Sequence, residues 1–421
     1  MWTSSTDGSI GSLIHVLSGI LELYDVLVND CTSANNVIVL RSYQNAEIRT
    51  YGKFEMKNCS FNRSFVGGWK DQGKYYFNSD MYIHDNTLEH NLVVDSSVGD
   101  IYVNCDNYIY ENNITRGYYF KSEGANTKIE INCNNFVVRN NTRKYNASIG
   151  EWDYTAYTNT NKKFTANNGG DIYLNAKNMS ICNNGFYRSD SDMGLALSVT
   201  NTSDIIFNVE KGEIKGNHMR TAIFFANPGH IEVSGDIDIE DITFYQQSHG
   251  GIARFIGASI GKLKGITIKN HKRIYDQAIC IVDTSNVVFE DIKMINNVID
   301  RVAMYVDCAG VKFTISGNNE FSNNTWMNET SESAFIRFGS GNMDFALKDG
   351  ITKIYNNKVT KRAVGSGLTQ ISGSLIYIQA MTRGFNIENV LLDIEGNELN
   401  RAGTGQVNQA IIKFADVLHQ I

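Results

Sequence analysis

The sequence predicts an all-β protein folded as a parallel β-solenoid of roughly 14 coils, each of about 23–43 residues. A repeat is the first observation: the segment Ile101–Cys105 recurs 28 residues later as Ile129–Cys133, and more loosely as Ile172–Ala176. The second is that apolar and polar residues alternate in these segments, which is the period of a strand with one buried face. The third is the composition, with 49 asparagines, 36 glycines and one proline among 421 residues.

An apolar-x-apolar anchor marks each coil and so places the strands in order. The anchors are Leu17, Leu40, Phe77, Val103, Ile131, Leu174, Val199, Phe225, Phe255, Val282, Val306, Phe338, Ile378 and Phe414. The stretch 10–28 could also form an amphipathic helix, but Leu23–Val28 fits the bend pattern described next. Strands are therefore favoured there too.

A second pattern, in which Asn or Asp lies between apolar residues, marks a sharp bend between two strands. It occurs at Leu23–Val26, Met56–Cys59, Ile239–Ile242, Phe289–Ile292 and Ile387–Val390. Asn and Asp tolerate the left-handed backbone conformation that such a bend needs. Ten Asn-Asn pairs occur in the chain, and asparagines stacked one coil apart can form amide ladders. Proline would interrupt the backbone ladder, which agrees with the presence of Pro228 alone.

We expect a single continuous β-helix domain over residues 1–421, with expanded loops near 58–76, 140–170 and 320–334. The repeats run almost to both ends without a polar capping unit. This favours a segment of a longer protein, or one that stacks with another solenoid segment. No apolar run of about 18 residues and no secretory signal is visible, so no transmembrane segment is expected.

Charge and cysteine content exclude several classes of function. The net charge of −7 argues against a nucleic-acid partner, which would require a basic face. The seven cysteines are widely spaced, so the sequence has neither a zinc ribbon nor a dithiol redox motif. Buried free thiols are favoured. Cys105 and Cys133 share a register in adjacent coils, where a disulfide is the alternative.

The coil pattern resembles the right-handed parallel β-helix proteins of the pectate-lyase-like superfamily. The segments Val287–Asn297, Phe385–Asn397 and Leu263–Asn270 carry this resemblance. The chain is also loosely similar to the repeats of polymorphic outer-membrane and autotransporter passenger proteins. Their Phe-x-x-Asn and Gly-Gly-Ala-Ile motifs are similar to Phe164–Asn167 followed by Gly169–Ile172. Both groups are typically extracellular or surface-exposed, so the resemblance implies that location.

Aromatic residues in the expanded loops are the candidate binding residues, because exposed aromatic planes pack against sugar rings and partner proteins. Every tryptophan except Trp2 falls in an expanded coil. The candidates are Trp69, Trp152, Tyr154, Tyr157 and Trp326. The alternative is that the tryptophans fold back and cover the solenoid.

An acidic strand is the candidate catalytic site. Alternation places Asp236, Asp238 and Glu240 on one outer face, and His249 and Arg254 are close in sequence. The motif set of inverting polygalacturonases is not complete here. A solvated strand face is therefore favoured over a catalytic site built from Asp236, Asp238, His249 and Arg254. No metal site and no cofactor are predicted.

The leading hypothesis is a non-enzymatic β-helical adhesin or structural passenger at the cell surface or outside the cell. Its edge loops would bind a glycan or a protein. The alternative is a polysaccharide lyase or glycoside hydrolase that uses the acidic outer face around Asp236. The fold alone does not decide between them.

Overall fold

A computed structural model describes residues 11–33, 37–43, 45–67, 73–95, 99–142, 144–146, 151–153, 164–186, 197–219, 222–244, 251–275, 277–307, 309–328, 332–361, 370–381, 384–399 and 406–414. These residues form 42 strands and no helix. Contacts between them divide the chain into two compact units, Met1–Arg220 (unit 1) and Thr221–Ile421 (unit 2). The prediction of one continuous domain over 1–421 stays a prediction.

In unit 1 the chain visits three faces in turn, and strands one coil apart pair in parallel. The first face contains β1 (Gly11–Val16), β4 (Val37–Ser42), β7 (Ser64–Val66), β10 (His90–Asp95), β13 (Phe120–Glu123), β17 (Phe164–Asn167) and β20 (Leu197–Val199). The second contains β2 (Ile20–Asn29), β5 (Glu47–Lys57), β8 (Lys74–His84), β11 (Asp100–Glu111), β14 (Lys128–Arg139), β18 (Asp171–Cys182) and β21 (Asp204–Lys215). The third contains β3 (Thr32–Ser33), β6 (Ser60–Phe61), β9 (Thr87–Leu88), β12 (Ile114–Thr115), β19 (Gly185–Phe186) and β22 (His218–Met219). An antiparallel hairpin, β15 (Lys144–Asn146) with β16 (Glu151–Asp153), lies within the predicted expanded loop 140–170.

Unit 2 repeats this order of faces. Its first face contains β23 (Phe224–Ala226), β26 (Ala253–Phe255), β28 (Gln277–Ile281), β32 (Val302–Val306), β36 (Glu332–Gly341), β39 (Gln370–Met381) and β42 (Gln406–Phe414). The second contains β24 (His230–Glu240), β27 (Ile260–Lys269), β29 (Asn286–Glu290), β30 (Lys293–Ile295), β33 (Lys312–Ser316), β34 (Asn319–Ser322), β37 (Asp344–Tyr355) and β40 (Phe385–Glu395). The third contains β25 (Thr243–Phe244), β31 (Val298–Ile299), β35 (Thr325–Asn328), β38 (Lys358–Lys361) and β41 (Glu398–Leu399).

The predicted fold class, an all-β parallel solenoid, is confirmed. Eleven turns have a described strand on all three faces, compared with the roughly 14 coils predicted. Four anchors, Phe77, Val103, Ile131 and Leu174, lie on the second face, whereas the others lie on or beside first-face strands. The anchor pattern did not separate the faces because strands of both faces alternate apolar and polar residues. The stretch 10–28 contains β1 and β2 and no helix among its described residues.

The pairs Asn112-Asn113, Asn140-Asn141 and Asn183-Asn184 mark the bend between the second and third faces, and the two residues of each pair have different roles. The first residue takes the left-handed conformation: φ is 55° at Asn112, 57° at Asn140 and 55° at Asn183. The second residue turns inward and is buried in each case. Gly216 replaces the first asparagine in one coil, where a Cβ would lie 2.3 Å from the side-chain oxygen of Asn183. The buried residues, called here the inner ladder, are Asn86, Asn113, Asn141, Asn184 and Asn217.

Each inner-ladder amide replaces hydrogen bonds that the backbone loses at the bend. The side-chain oxygen of Asn141 accepts from the backbone N–H of Asn113 at 2.8 Å and from its side-chain amide at 3.2 Å. The Asn141 amide nitrogen donates to the carbonyl oxygen of Tyr110 at 2.9 Å and to the side-chain oxygen of Asn184 at 3.0 Å. An asparagine amide offers two N–H donors and one oxygen acceptor, so this geometry satisfies all of them. The ladder thus fixes adjacent coils in register.

Unit 2 has its own inner ladder, in which a histidine takes the first place. Asn297, Asn324, Asn357 and Asn397 repeat the amide pattern. His271 is 1% exposed, and its Nδ1 lies 2.9 Å from the side-chain oxygen of Asn297. That oxygen can only accept, so Nδ1 carries the proton. Nε2 is buried without a hydrogen-bond partner among the described residues. Burial lowers the pKa of His271 to about 4.

Replacing an inner-ladder asparagine should destabilise unit 1 strongly. Asn141→Ala would leave the donors of Asn113 and the carbonyl of Tyr110 buried without partners. We expect the free energy of unfolding to fall by about 4 kcal/mol, because each unsatisfied buried group costs about 1–3 kcal/mol. Asn175→Ala, an exposed asparagine of the same unit, should cost less than about 1 kcal/mol. Equal losses in urea denaturation of the two variants would refute the role given to the ladder.

The buried histidine predicts an acid sensitivity that a single substitution should remove. The folded state favours neutral His271, so its contribution to stability is complete above the unfolded pKa of about 6.5 and is lost as the pH falls toward about 4. This amounts to at most about 3 kcal/mol. His271→Asn restores the residue type of the ladder and should reduce the loss of unfolding free energy between pH 7 and 4. His230→Asn, an outward-facing control on β24, should retain the full loss. An unchanged pH profile in His271→Asn would contradict this assignment.

Candidate functional site

Most of the predicted aromatic binding residues cannot be placed. Trp69, Tyr154 and Tyr157 lie outside the described residues. The backbone of Trp152 belongs to β16, where it pairs with Tyr145 of β15. The hairpin lies within the stretch 140–170, whose assignment as an expanded loop stays a prediction.

Trp326 does not provide the exposed plane that the sequence predicted. Its side chain is 0% exposed and packs against Phe335, with ring centroids 5.5 Å apart. The residue lies on the short third-face strand β35, and its alternating position points into the core. For this residue the alternative reading, in which the tryptophan covers the solenoid, fits the observed burial.

The acidic residues and the arginine of the candidate catalytic site lie on different faces. Asp236 and Asp238 are on the second-face strand β24, whereas Arg254 is on the first-face strand β26. The carboxylate of Asp238 accepts a hydrogen bond from Lys269 Nζ at 2.6 Å. Glu240 accepts one from Asn270 at 2.8 Å. His249 lies outside the described residues. The outer position of the carboxylates is as expected, and two of them are held by neighbours one coil away.

The outer surface of the second face in unit 1 carries two rows of stacked asparagines, called here the outer amide rows. One row contains Asn104, Asn132, Asn175 and Asn208, joined by side-chain hydrogen bonds of 3.0, 2.8 and 3.1 Å. The other contains Asn107, Asn135 and Asn178, joined by bonds of 2.9 and 3.0 Å. Asp80 ends the second row by accepting from the Asn107 amide at 2.9 Å. Unlike the inner ladder, these amides reach solvent.

Beside the amide rows runs a column of aromatic and charged side chains. The rings of Tyr76 and Tyr102 stack with centroids 5.2 Å apart and planes 7° apart. The guanidinium of Arg49 lies over Tyr76, and the ammonium of Lys128 lies over Tyr102 at 4.8 Å. Both ring faces of this pair are therefore covered by neighbours. Burial and the carboxylate of Asp100 raise the pKa of Tyr102.

A groove lies where three coils of unit 1 pass from the third face to the first. It encloses about 310 Å³. Phe61 and Leu88 form an apolar floor, and both are buried. Arg63, Glu89 and Arg116 form its charged walls. Arg63 and Glu89 form an ion pair of 3.5 Å.

Sequence reasoning missed both features. The outer rows had a visible signal, because Asn104, Asn132 and Asn175 hold the same place in the repeated motif. They were assigned to bends together with the other asparagines. The groove had no comparable signal, since Arg63 and Arg116 come together only through the register of the short strands β6, β9 and β12.

Comparisons with protein-family models, with curated proteins and with solved structures gave no match. Among the described residues, no cluster of three or more His, Cys, Asp or Glu side chains could hold a metal ion. Nor does any helix in the described part of the chain have the length and apolar character needed to cross a membrane.

The six described cysteines are free, and two of them face each other. Cys105 on β11 and Cys133 on β14 are register partners in adjacent coils. A hydrogen bond with Cys133, together with burial, raises the pKa of the Cys105 thiol. Nearby carboxylates, including that of Asp80, act in the same direction. These conditions disfavour the reactive thiolate.

Cys105 should therefore react slowly in the folded protein. We expect iodoacetamide at pH 8 to modify Cys105 at least about tenfold more slowly in the native state than in urea, because the thiolate is the reacting form. Mass spectrometry of tryptic peptides would measure both rates. Modification of Cys105 and Cys133 in urea only after addition of a reductant would show a disulfide and contradict the free thiols.

Proposed function

We propose that the protein is a non-enzymatic β-solenoid that binds a glycan, and that the outer amide rows of unit 1 form its binding surface. The observation that carries the proposal is the stacking of exposed asparagines at the spacing of the coils, about 4.8 Å. A row of identical groups can make the same contact several times with a polymer of repeating units, which raises affinity through multivalency.

The hydrogen bonds of the rows leave capacity for a ligand. Asn175 donates one N–H to Asn132 and accepts one bond from Asn208. An amide has a second N–H and a second oxygen lone pair. Asn175 and Asn104 are exposed, so these groups are accessible. Sugar hydroxyls both donate and accept, and they suit such a surface.

The charged column beside the rows favours a neutral glycan along this face. The column contains, in register, Glu47, Lys74, Asp100, Lys128 and Asp171, which alternate in sign. Asp204 follows Asp171 in the next coil and adds a second neighbouring carboxylate. Lys74 and Asp100 lie 3.5 Å apart. The alternating charges compensate each other in most of the column, and the excess of carboxylates disfavours a polyanion.

The proposal also includes a location at the cell surface or outside the cell. The resemblance of Phe164–Asn167 and the following glycines to autotransporter passenger repeats supports a place at the cell surface or outside the cell. The likeness of the coils to the pectate-lyase-like superfamily supports a carbohydrate ligand in the same way. A protein ligand at the aromatic loops, and stacking with another solenoid segment, stay predictions of the sequence.

Catalysis at the acidic face around Asp236 is the alternative function, and the geometry supports it less. Lys269 neutralises Asp238, and Glu240 is bound to Asn270. Glycoside hydrolysis needs two carboxyl groups that flank one bond, with one of them protonated. Carboxylates that are hydrogen-bonded to neighbouring coils are better suited to holding the coils in register than to transferring protons.

Loss of the outer amides should weaken glycan binding without unfolding the protein. In a panel of insoluble neutral polysaccharides, we expect the wild type to be retained on at least one. The double variant Asn132→Ala/Asn175→Ala should bind that polysaccharide at least about tenfold more weakly, since each hydrogen bond contributes about 1 kcal/mol. Depletion assays at several protein concentrations would give the dissociation constants.

Asn386→Ala is the matched control, because Asn386 is an exposed asparagine of β40 whose register partner is Ala346 and not another asparagine. Its binding should equal that of the wild type. Unchanged binding in the double variant would refute the proposed surface. Release of reducing or unsaturated sugar ends by the wild type, abolished in Asp236→Asn, would favour the enzymatic alternative.

A further inference from the structure

The groove of unit 1 has the composition of a small-ligand site and is separate from the outer amide rows. Its volume of about 310 Å³ falls at the lower end of the range for pockets that hold small molecules. The buried side chains of Phe61 and Leu88 provide the apolar floor that such sites usually have. Thr87 and Asn62 add polar groups at its wall.

The backbone register brings the charged residues of the groove together. Phe61 and Leu88 end the third-face strands β6 and β9, and Arg63 and Glu89 follow them. The N–H of Glu89 donates to the carbonyl of Arg63 at 3.2 Å. In the next coil Thr115 is the register partner of Leu88, so Arg116 takes the place equivalent to Glu89. The N–H of the following residue, Gly117, donates to the carbonyl of Glu89 at 2.6 Å. A Cβ there would lie 2.1 Å from the imidazole of His90, so the glycine leaves space for that ring.

Positive charge is in excess within the groove. Arg63 and Arg116 supply two guanidinium groups, and Glu89 supplies one carboxylate. The Glu89 carboxylate also lies 3.7 Å from His90 Nε2, so it is shared between Arg63 and His90. Arg63 Nε is buried and has no hydrogen-bond partner among the residues that the structure describes. Arg116 is exposed and forms no ion pair with a described residue.

We propose that this groove binds a small ligand through its carboxylate group, held between the guanidinium groups of Arg63 and Arg116. One net positive charge complements a monoanion. Guanidinium groups form paired, charge-assisted hydrogen bonds with the planar carboxylate. The Arg63 side chain is 37% exposed, so its guanidinium can be reached by a ligand in the groove. Thr87 and Asn62 contact the polar remainder of the ligand, and Phe61 its apolar side.

Isothermal titration of the full chain with four probes tests the assignment. Glucuronate and N-acetylalanine present a carboxylate on a sugar and on a peptide-like group, glucose is the neutral counterpart, and sodium sulfate is a plain anion. We expect one or both carboxylates to bind, and glucose and sulfate to bind at least about tenfold more weakly. Preference between the two carboxylates identifies the source of the ligand. Equal binding of sulfate or glucose would overturn the carboxylate assignment.

Two variants with opposite expected effects on carboxylate affinity make the test specific to the groove. Arg116→Gln should weaken carboxylate binding about tenfold or more, because a charge-assisted hydrogen bond is lost. Glu89→Gln should strengthen it, because Arg63 is released from its ion pair. Arg139→Gln is the matched control, since Arg139 pairs with Glu111 on the second face at 2.6 Å and should bind like the wild type. Binding unaffected by Arg116→Gln and Glu89→Gln would place the ligand elsewhere. The outcome is independent of the outer amide rows, whose variants leave the groove intact.

Discussion

The side-chain amide of asparagine, buried at one bend of most coils, is the interaction on which the architecture depends. A solenoid must turn its chain sharply once per face, and each turn takes backbone groups out of the strand ladders. Asn113, Asn141 and Asn184 return those hydrogen bonds through side chains that copy the donor and acceptor of a peptide unit. Because each amide also bonds its equivalent one coil away, the bend and the register are fixed by the same group.

Register, once fixed, determines what the outer surface can present. Residues at equivalent positions are brought to the separation of neighbouring strands, whatever their chemistry. Like side chains then interact directly, as in the Tyr76–Tyr102 stack, and opposite charges alternate, as in Glu47, Lys74 and Asp100. The side chains of an outer column must therefore be compatible with one another. Columns whose groups have unused hydrogen-bonding capacity are the ones available to a ligand.

Much of the fold was predictable because its causes are local. Alternation shows which residues face inward, and a pair such as Asn140-Asn141 combines the left-handed bend with the buried amide. The roles of the two asparagines were not separated, since residue type alone does not reveal burial. Trp326 shows the same limit. Its place in an expanded coil suggests an exposed loop, yet on the third-face strand β35 its side chain points into the core. The groove depends on contacts between side chains that are 26 or more residues apart in sequence, such as Arg63 and Glu89. These residues do not belong to a repeated motif, so the sequence does not predict that they meet.

One residue type therefore serves two purposes that can be told apart by position. An inner asparagine such as Asn184 uses both N–H groups and its oxygen within the protein, so any ligand contact would cost stability. An outer asparagine such as Asn175 uses only part of its capacity and borders solvent. Selection for binding can then change the outer rows with little effect on folding, whereas the inner ladder is constrained in every coil that contains it. His271 is the exception within the ladder of unit 2. Its Nδ1 donates to Asn297, but its Nε2 has no hydrogen-bond partner among the described residues. Because an imidazole can be protonated and an amide cannot, His271 makes stability depend on pH.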